Sequence, residues 1–205
     1  MRHPATGRFS ALCTLYSSLS QPLPCYNTSI RKDDAHEIHD CFGYPRFRPV
    51  CPENGGGLPP ADRLILLGDL FYHGPRNDLP EGYAPKEVIA LLNGLKDRIF
   101  CVRGNCEAEV DQMVLQFPVL ADYALLEWNH HLIFVTHGHR YNLQHPPLLQ
   151  PGDILLHGHT HIPADEPWGQ DNRYWNPGSV SLPKAGTPHS YMVLEEDRPL
   201  WKALE

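Results

Sequence analysis

A chain of 205 residues carries 17 Lys and Arg against 24 Asp and Glu, a formal net charge of -7, with 41% hydrophobic and 20% charged residues. That balance fits one ordinary globular domain, leaves a second one cramped, and offers no basic surface for stable contact with nucleic acid or an anionic membrane. No run approaches the roughly 18 apolar residues of a membrane span, and the polar N-terminus, with one broken apolar stretch over residues 9–15, does not read as a signal peptide.

Residues 1–60 hold no amphipathic helix and close on the loop-like run Glu53-Asn-Gly-Gly-Gly-Leu-Pro-Pro60. Four of the six cysteines, Cys13, Cys25, Cys41 and Cys51, fall in this segment at irregular spacing, and Cys101 and Cys106 follow. Without a CxxC pair they form neither a zinc ribbon nor a disulfide framework, so free thiols in a reducing cytoplasm are expected.

Order begins near Asp62. The run RLILLGDL, Arg63 to Leu70, is continuously apolar and closes on Gly-Asp, which suits a strand buried on both faces with a carboxylate at its C-terminal end. Val88, Ile89, Leu91, Leu92 and Leu95 then recur at helical spacing and predict a helix over 84–96. The stretch DRIFCVRGN repeats the theme of a strand followed by glycine and a polar group, ending at Asn105. Val110, Met113, Val114 and Phe117 predict a second helix over 107–117 with those residues on one face. YALLEW, HLIFVTHGH and DILLHGHTH supply three further strands, the last two ending in histidine-rich turns. RYWNPGSVSLPK and HSYMVLEE add two more around a Gly-Pro loop. Strands alternating with helices and then mostly strands imply an α/β fold with two packed sheets.

Four motifs stand at the ends of predicted buried strands, where α/β sheets place their ligand sites: Gly68-Asp69, Gly104-Asn105, Thr136-His137-Gly138-His139 and Gly158-His159-Thr160-His161. Each puts a metal-binding side chain beside a glycine, where the backbone can turn sharply. A carboxylate, an amide oxygen and several imidazoles together suit Mn, Fe or Zn better than an all-oxygen calcium cage. Taken singly, each motif has an ordinary structural alternative: Asp69 caps a helix or opens a turn, Asn105 is half of a turn pair, and a lone histidine at a strand end is a satisfied hydrogen-bonding group. Four together outweigh those readings.

GDLFYHGPRN, RGNCEAEVDQM, THGH, GHTH and NPGS, in this order, resemble the calcineurin-like metallophosphoesterase superfamily over residues 62 to about 194. The resemblance implies a two-sheet αββα sandwich, with residues 61–205 as the metallophosphoesterase domain and residues 1–60 as an irregular preceding segment. It implies two divalent ions, manganese first with zinc, iron and nickel as substitutes. Asp69 would bridge them, Asn105, His137 and His159 would hold one, and His161 the other. The implied reaction is hydrolysis of a small phosphodiester by a water shared between the ions, with Asn105 and His139 as catalytic groups. Cys106 stands where the superfamily often has a histidine, which leaves the general acid unassigned; His139 and His73 are its candidates. Arg76 and Arg103 are candidates for a substrate phosphate, Asn176 is expected to shape the site through its Gly-Pro turn, and Ser179 is not read as a nucleophile. A homo-oligomer is compatible with the chain.

The superfamily's opening Asp-x-His motif has no clean counterpart. Asp34-Ala35-His36 has the spacing but follows no buried strand, and Glu37 stands where glycine is expected. The stretch His39 to Phe47 can be encoded so that a one-base shift reads Met-Ile-Ala-Ser-Asp-Ile-His-Gly, a family-like strand and motif. Translation out of frame from about His39 to Gly55 would therefore account for the loss, leaving no first strand and an incomplete first metal position. The alternative function is then a catalytically impaired member of the fold that acts by binding. Other metal hydrolases that begin with HxHxDH on an early strand do not fit.

Overall fold

The computed structural model describes residues 9–12, 63–71, 83–195 and 198–204. Its first sheet contains β1 (Phe9–Leu12), β2 (Arg63–Leu66), β3 (Ile99–Cys101), β9 (Ser190–Leu194) and β10 (Pro199–Ala203), in the order β10-β9-β1-β2-β3. The second contains β4 (Tyr123–Trp128), β5 (His131–Thr136), β6 (Ile154–His157), β7 (Ala164–Trp168) and β8 (Asn172–Asn176), in the order β4-β5-β6-β8-β7. The apolar runs RLIL, ILLH and SYMVL occupy interior strands, as continuous apolar sequence requires where both sheet faces are covered.

Three strands depart from the sequence reading. β1 is the central strand of the first sheet, parallel to β2 and antiparallel to β9, where no first strand is expected. β7 and β10 are edge strands whose sequences, ADEPW and PLWKA, lack alternation because backbone pairing to one neighbour holds them.

The interior alternates by face. Ile65, Met192 and Leu194 of the first sheet meet Ile133, Val135, Ile154, Leu156 and Trp175 of the second in the layer between the sheets. Leu66, Cys101, Tyr191 and Val193 point the other way, onto Leu92 of helix α1 (Pro85–Gly94) and the connection carrying Leu115, Phe117 and Val119. Proline at the start of α1 takes the position whose N–H has no intrahelical partner. The second helix is shorter than predicted: α2 is Glu109–Val114, and of the four residues predicted on its core face Val110, Met113 and Val114 are exposed, while Phe117, beyond its end, is buried. Six residues cannot carry a core-facing stripe, and Glu107 is drawn away to another task described below. On the outer face of the second sheet, Tyr141 packs edge-on against Phe134 and Tyr123, so a loop rather than a helix covers that region.

β2 and β3 run parallel in one sheet, and β5, β6 and β8 run parallel in the other. The segments that follow their C-terminal ends converge on one edge of the sandwich.

Candidate metal centre

Asp69 follows β2, Asn105 follows β3, His137 follows β5, and His159 and His161 follow β6. Ligand atoms of Asp69, His137 and His159 all lie within 4.8 Å of one another. His137 Nε2 is the hub, 3.4 Å from Asp69 Oδ2, 3.1 Å from Asn105 Oδ1 and 3.0 Å from His159 Nδ1. Its other ring nitrogen, Nδ1, is 2.6 Å from the Leu67 carbonyl. A carbonyl only accepts, so in the neutral ring Nδ1 carries the proton and Nε2 keeps its lone pair. Three acceptors, a carboxylate oxygen, an amide oxygen and an imidazole lone pair, therefore face one another, the arrangement a cation resolves and an empty pocket does not. The donor set fits a divalent ion of borderline softness.

His161 is buried at the edge of this cluster, and its Nδ1 donates to the Leu182 carbonyl at 2.8 Å, which in the neutral ring leaves Nε2 unprotonated. It is not in the tight group of three. Asp34, His36, His73 and Arg76 lie outside the described residues. The Arg103 guanidinium donates to the Glu107 carbonyl at 3.1 Å and so braces the loop after β3.

The backbone is shaped for this aim. Asp69, His159 and His161 have φ of 55°, 64° and 62°, a left-handed conformation that costs a non-glycine residue about 1–2 kcal/mol. Gly68 and Gly104 allow the first two loops to touch: a Cβ on Gly104 would stand 2.1 Å from Asp69 Oδ1, and one on Gly68 would stand 2.3 Å from the Gly104 nitrogen.

Glu107 ties these loops together. Its buried carboxylate accepts the N–H groups of Asp69 at 2.8 Å, Leu70 at 2.6 Å and Gly104 at 2.5 Å. Sequence reasoning assigned it only to a helix. The available signal was weak: a glutamate soon after Gly-Asn, two of whose three backbone partners are nearly 40 residues away.

Electrostatics divide the cluster. Burial alone would raise the Asp69 carboxyl, but His137 beside it, the Cys106 N–H and His159 outweigh burial and hold the carboxyl below its usual range. Burial raises Glu107 despite its three N–H donors, with the Asp69 charge adding to the effect. His159 and His161 are pushed down, first by burial, with the Lys184 ammonium contributing to both. His139, whose ring centre lies 5.3 Å from that of His137, is pushed down to about 4, chiefly by burial, and is neutral at neutral pH. Its Nδ1 is buried and has no hydrogen-bond partner among the described residues.

Comparison with known proteins agrees with this architecture. Residues 58–198 match the calcineurin-like phosphoesterase superfamily domain. The chain belongs to that superfamily, a class of phosphoesterase enzymes. Within it, the chain is 47% identical over 137 residues to phosphodiesterase YfcE of Escherichia coli strain K12, covering 67% of this chain and 74% of that one. A solved structure of Yfce, described as a phosphoesterase from E. coli, superposes with a TM-score of 0.71 at 34% identity, covering 97% of this chain and 100% of that one. An archaeal phosphodiesterase shares the fold alone, at a TM-score of 0.52 and 18% identity over 96% of this chain and 99% of that one. The superfamily implies divalent metal, and the Asp69, His137 and His159 group is a candidate place for it. No helix among the described residues is long and apolar enough to cross a membrane.

Proposed function

We propose that the chain is a divalent-metal-dependent phosphodiesterase acting on small or exposed phosphodiesters, as its kinship with YfcE suggests. The observation that carries this reading is the convergence of the Asp69 carboxylate, the Asn105 amide oxygen and the His137 and His159 rings at one point. In this reading Asn105, His137 and His159 hold one ion, His161 faces a second, and Asp69 serves both. Bound there, the ions supply Lewis acidity at the phosphoryl group and a water nucleophile available at neutral pH. The exposed Asn105 amide, now donating to Cys106 Sγ at 3.3 Å, turns to a phosphoryl oxygen. Neutral His139, its ring centre 5.3 Å from that of His137, is the side chain in reach to meet the substrate or its leaving group. Manganese is the first choice of metal, with zinc, iron and nickel as substitutes, and the reducing cytoplasm is the setting.

The test is hydrolysis of bis(p-nitrophenyl) phosphate by protein reconstituted with Mn²⁺, with metal per chain measured alongside. Turnover with close to two ions per chain supports the full reading. A protein that takes up metal but does not turn over this diester or the p-nitrophenyl monoester overturns the enzymatic reading.

A second reading is favoured by one observation: β1 ends at Leu12, paired with Leu66 just ahead of Gly68-Asp69, yet the residues that follow it are Cys13-Thr14-Leu15 and not Asp-x-His. The first metal position then has only Asp69 and His161 as donors among the described residues, and the chain acts by binding if at all. One ion per chain without turnover is the expected result. Sequencing the DNA across codons 39–55 tests whether a shifted frame removed the missing motif.

A further inference from the structure

We propose that Asn176 is the positioning residue of the 158–161 loop, fixing the aim of His159 and His161 and through them the affinity of the site for divalent metal. The proposal rests on the metal reading above and extends it to a residue that contributes no ligand atom.

Asn176 is the last residue of β8 and is fully buried. Its Nδ2 lies 3.0 Å from the Gly158 carbonyl, 2.9 Å from Thr160 Oγ1 and 2.9 Å from the Tyr174 hydroxyl. Its Oδ1 accepts the Gly178 N–H at 2.9 Å. Two of its contacts therefore flank His159 on either side in the chain.

His159 needs such a hold. The Thr160 N–H donates to the Gly158 carbonyl at 2.7 Å, closing a three-residue turn around His159, and φ there is 64°. That is the positive-φ sense of the γ-turn, the rare and strained one. Strained backbone persists only where surrounding contacts over-determine it. The Gly158 carbonyl is over-determined: it receives Thr160 N–H and Asn176 Nδ2, and His157 Nδ1 lies 2.9 Å away. Without the Asn176 amide the turn can relax to negative φ, which swings the His159 ring away from His137.

The same Asn-Pro-Gly-Ser segment reaches His161 by another route. Ser179 Oγ accepts the Leu182 N–H at 3.0 Å, and the Leu182 carbonyl accepts His161 Nδ1. One short stretch thus braces both histidines, at Asn176 through backbone and at Leu182 through the ring. Outer partners of this kind typically set metal affinity within about 10- to 100-fold.

The test compares Asn176→Asp with Thr160→Val. Aspartate keeps the acceptor for Gly178 and loses the amide donors. Thr160 is exposed, so its substitution removes one Asn176 contact with little risk to folding. Mn²⁺ titration by calorimetry should show affinity reduced about 10- to 100-fold in Asn176→Asp and about 2- to 10-fold in Thr160→Val, the range of one neutral hydrogen bond. Imidazole ¹⁵N spectra of the metal-free protein should show the His159 signals displaced in both variants. Parent-like affinity and unmoved His159 signals in Thr160→Val, with only a lower melting temperature in Asn176→Asp, would reduce Asn176 to a structural residue and overturn the proposal. A parent that takes up no Mn²⁺ sinks the metal reading itself, and the metal-free spectra then decide the positioning role alone.

Discussion

The strands β5, β6 and β8 end in two different ways at their two poles. At their C-terminal ends stand His137, His159, His161 and Asn176, around a polar cluster. Toward their N-terminal ends, Trp128 and Trp168 line a cavity of about 510 Å³ with His131, Ile154 and Arg173, and Trp175 lines it from further along β8. Both poles contain left-handed residues, but for different reasons. Asn129 and His130, with φ of 50° and 64°, form the two-residue turn between β4 and β5, where a hairpin of that length demands positive φ. His159 and His161 sit in no hairpin; both follow β6, and a ring nitrogen of His159 lies within 4.8 Å of the Asp69 carboxylate. Positive φ is a topological requirement at one pole and accompanies the clustered histidines at the other.

If that contrast is right, substitutions at the two poles should move different observables. The largest effect is expected from Asp69→Asn, which removes the carboxylate shared by the cluster. Mn²⁺ affinity should fall by more than the roughly 100-fold ceiling of outer partners, as read by calorimetry, and diester turnover should fall with it.

Acidification comes next. His157, its ring tilted against Tyr174 at the histidine pole, is pushed down to about 4 by burial, against 6.5 for a free ring. Between those values the unfolded chain binds a proton that the fold refuses, so stability is complete above about 6.5 and falls as pH drops toward 4. The loss from this residue reaches at most about 3 kcal/mol. Urea unfolding of the metal-free protein at several pH values should show it, and His157→Gln should flatten the slope in that window. An unchanged slope would mean that the acid response lies elsewhere.

Gly104→Ala should destabilise by about 1–3 kcal/mol, the range of overpacking, because the new methyl meets Asp69 Oδ1 and forces the two loops apart; thermal melting reads it. The smallest effect is expected at the opposite pole. Trp168→Ala should leave Mn²⁺ affinity within about twofold of the parent, since distant sites act independently. A larger change would show that the two poles are coupled and break the comparison.

What the sequence disclosed follows the same division. Interior strands such as β2, β6 and β9 were legible because burial on both faces leaves continuous apolar runs. β7 and β10 were not, because an edge strand is held by its neighbour's backbone and its side chains are free to be Glu, Pro or Lys. The apolar spacing in α2 misled: Val110 and Met113 face solvent. The glycine-flanked Asp69, Asn105, His137 and His159 were legible as candidates, since each stands at a strand end beside its own motif. Asn176 was legible as a residue shaping the site, but its partners were not, and Glu107 was harder still. Their partners are backbone amides and carbonyls, which every residue has, so no residue type at a fixed spacing announces them.

The order of strands in the first sheet also bears on how the chain is made. β1, from the first dozen residues, lies between β2 and β9, and β9 begins only at Ser190. The second sheet is drawn wholly from residues 123–176. During synthesis from the N-terminus that sheet can therefore pair while β1 still waits with one side uncovered, and the first sheet closes only once Ser190–Leu194 has emerged. Contacts of such long sequence separation form slowly, and the interval before closure is when an unpaired strand edge is most open to a neighbouring chain.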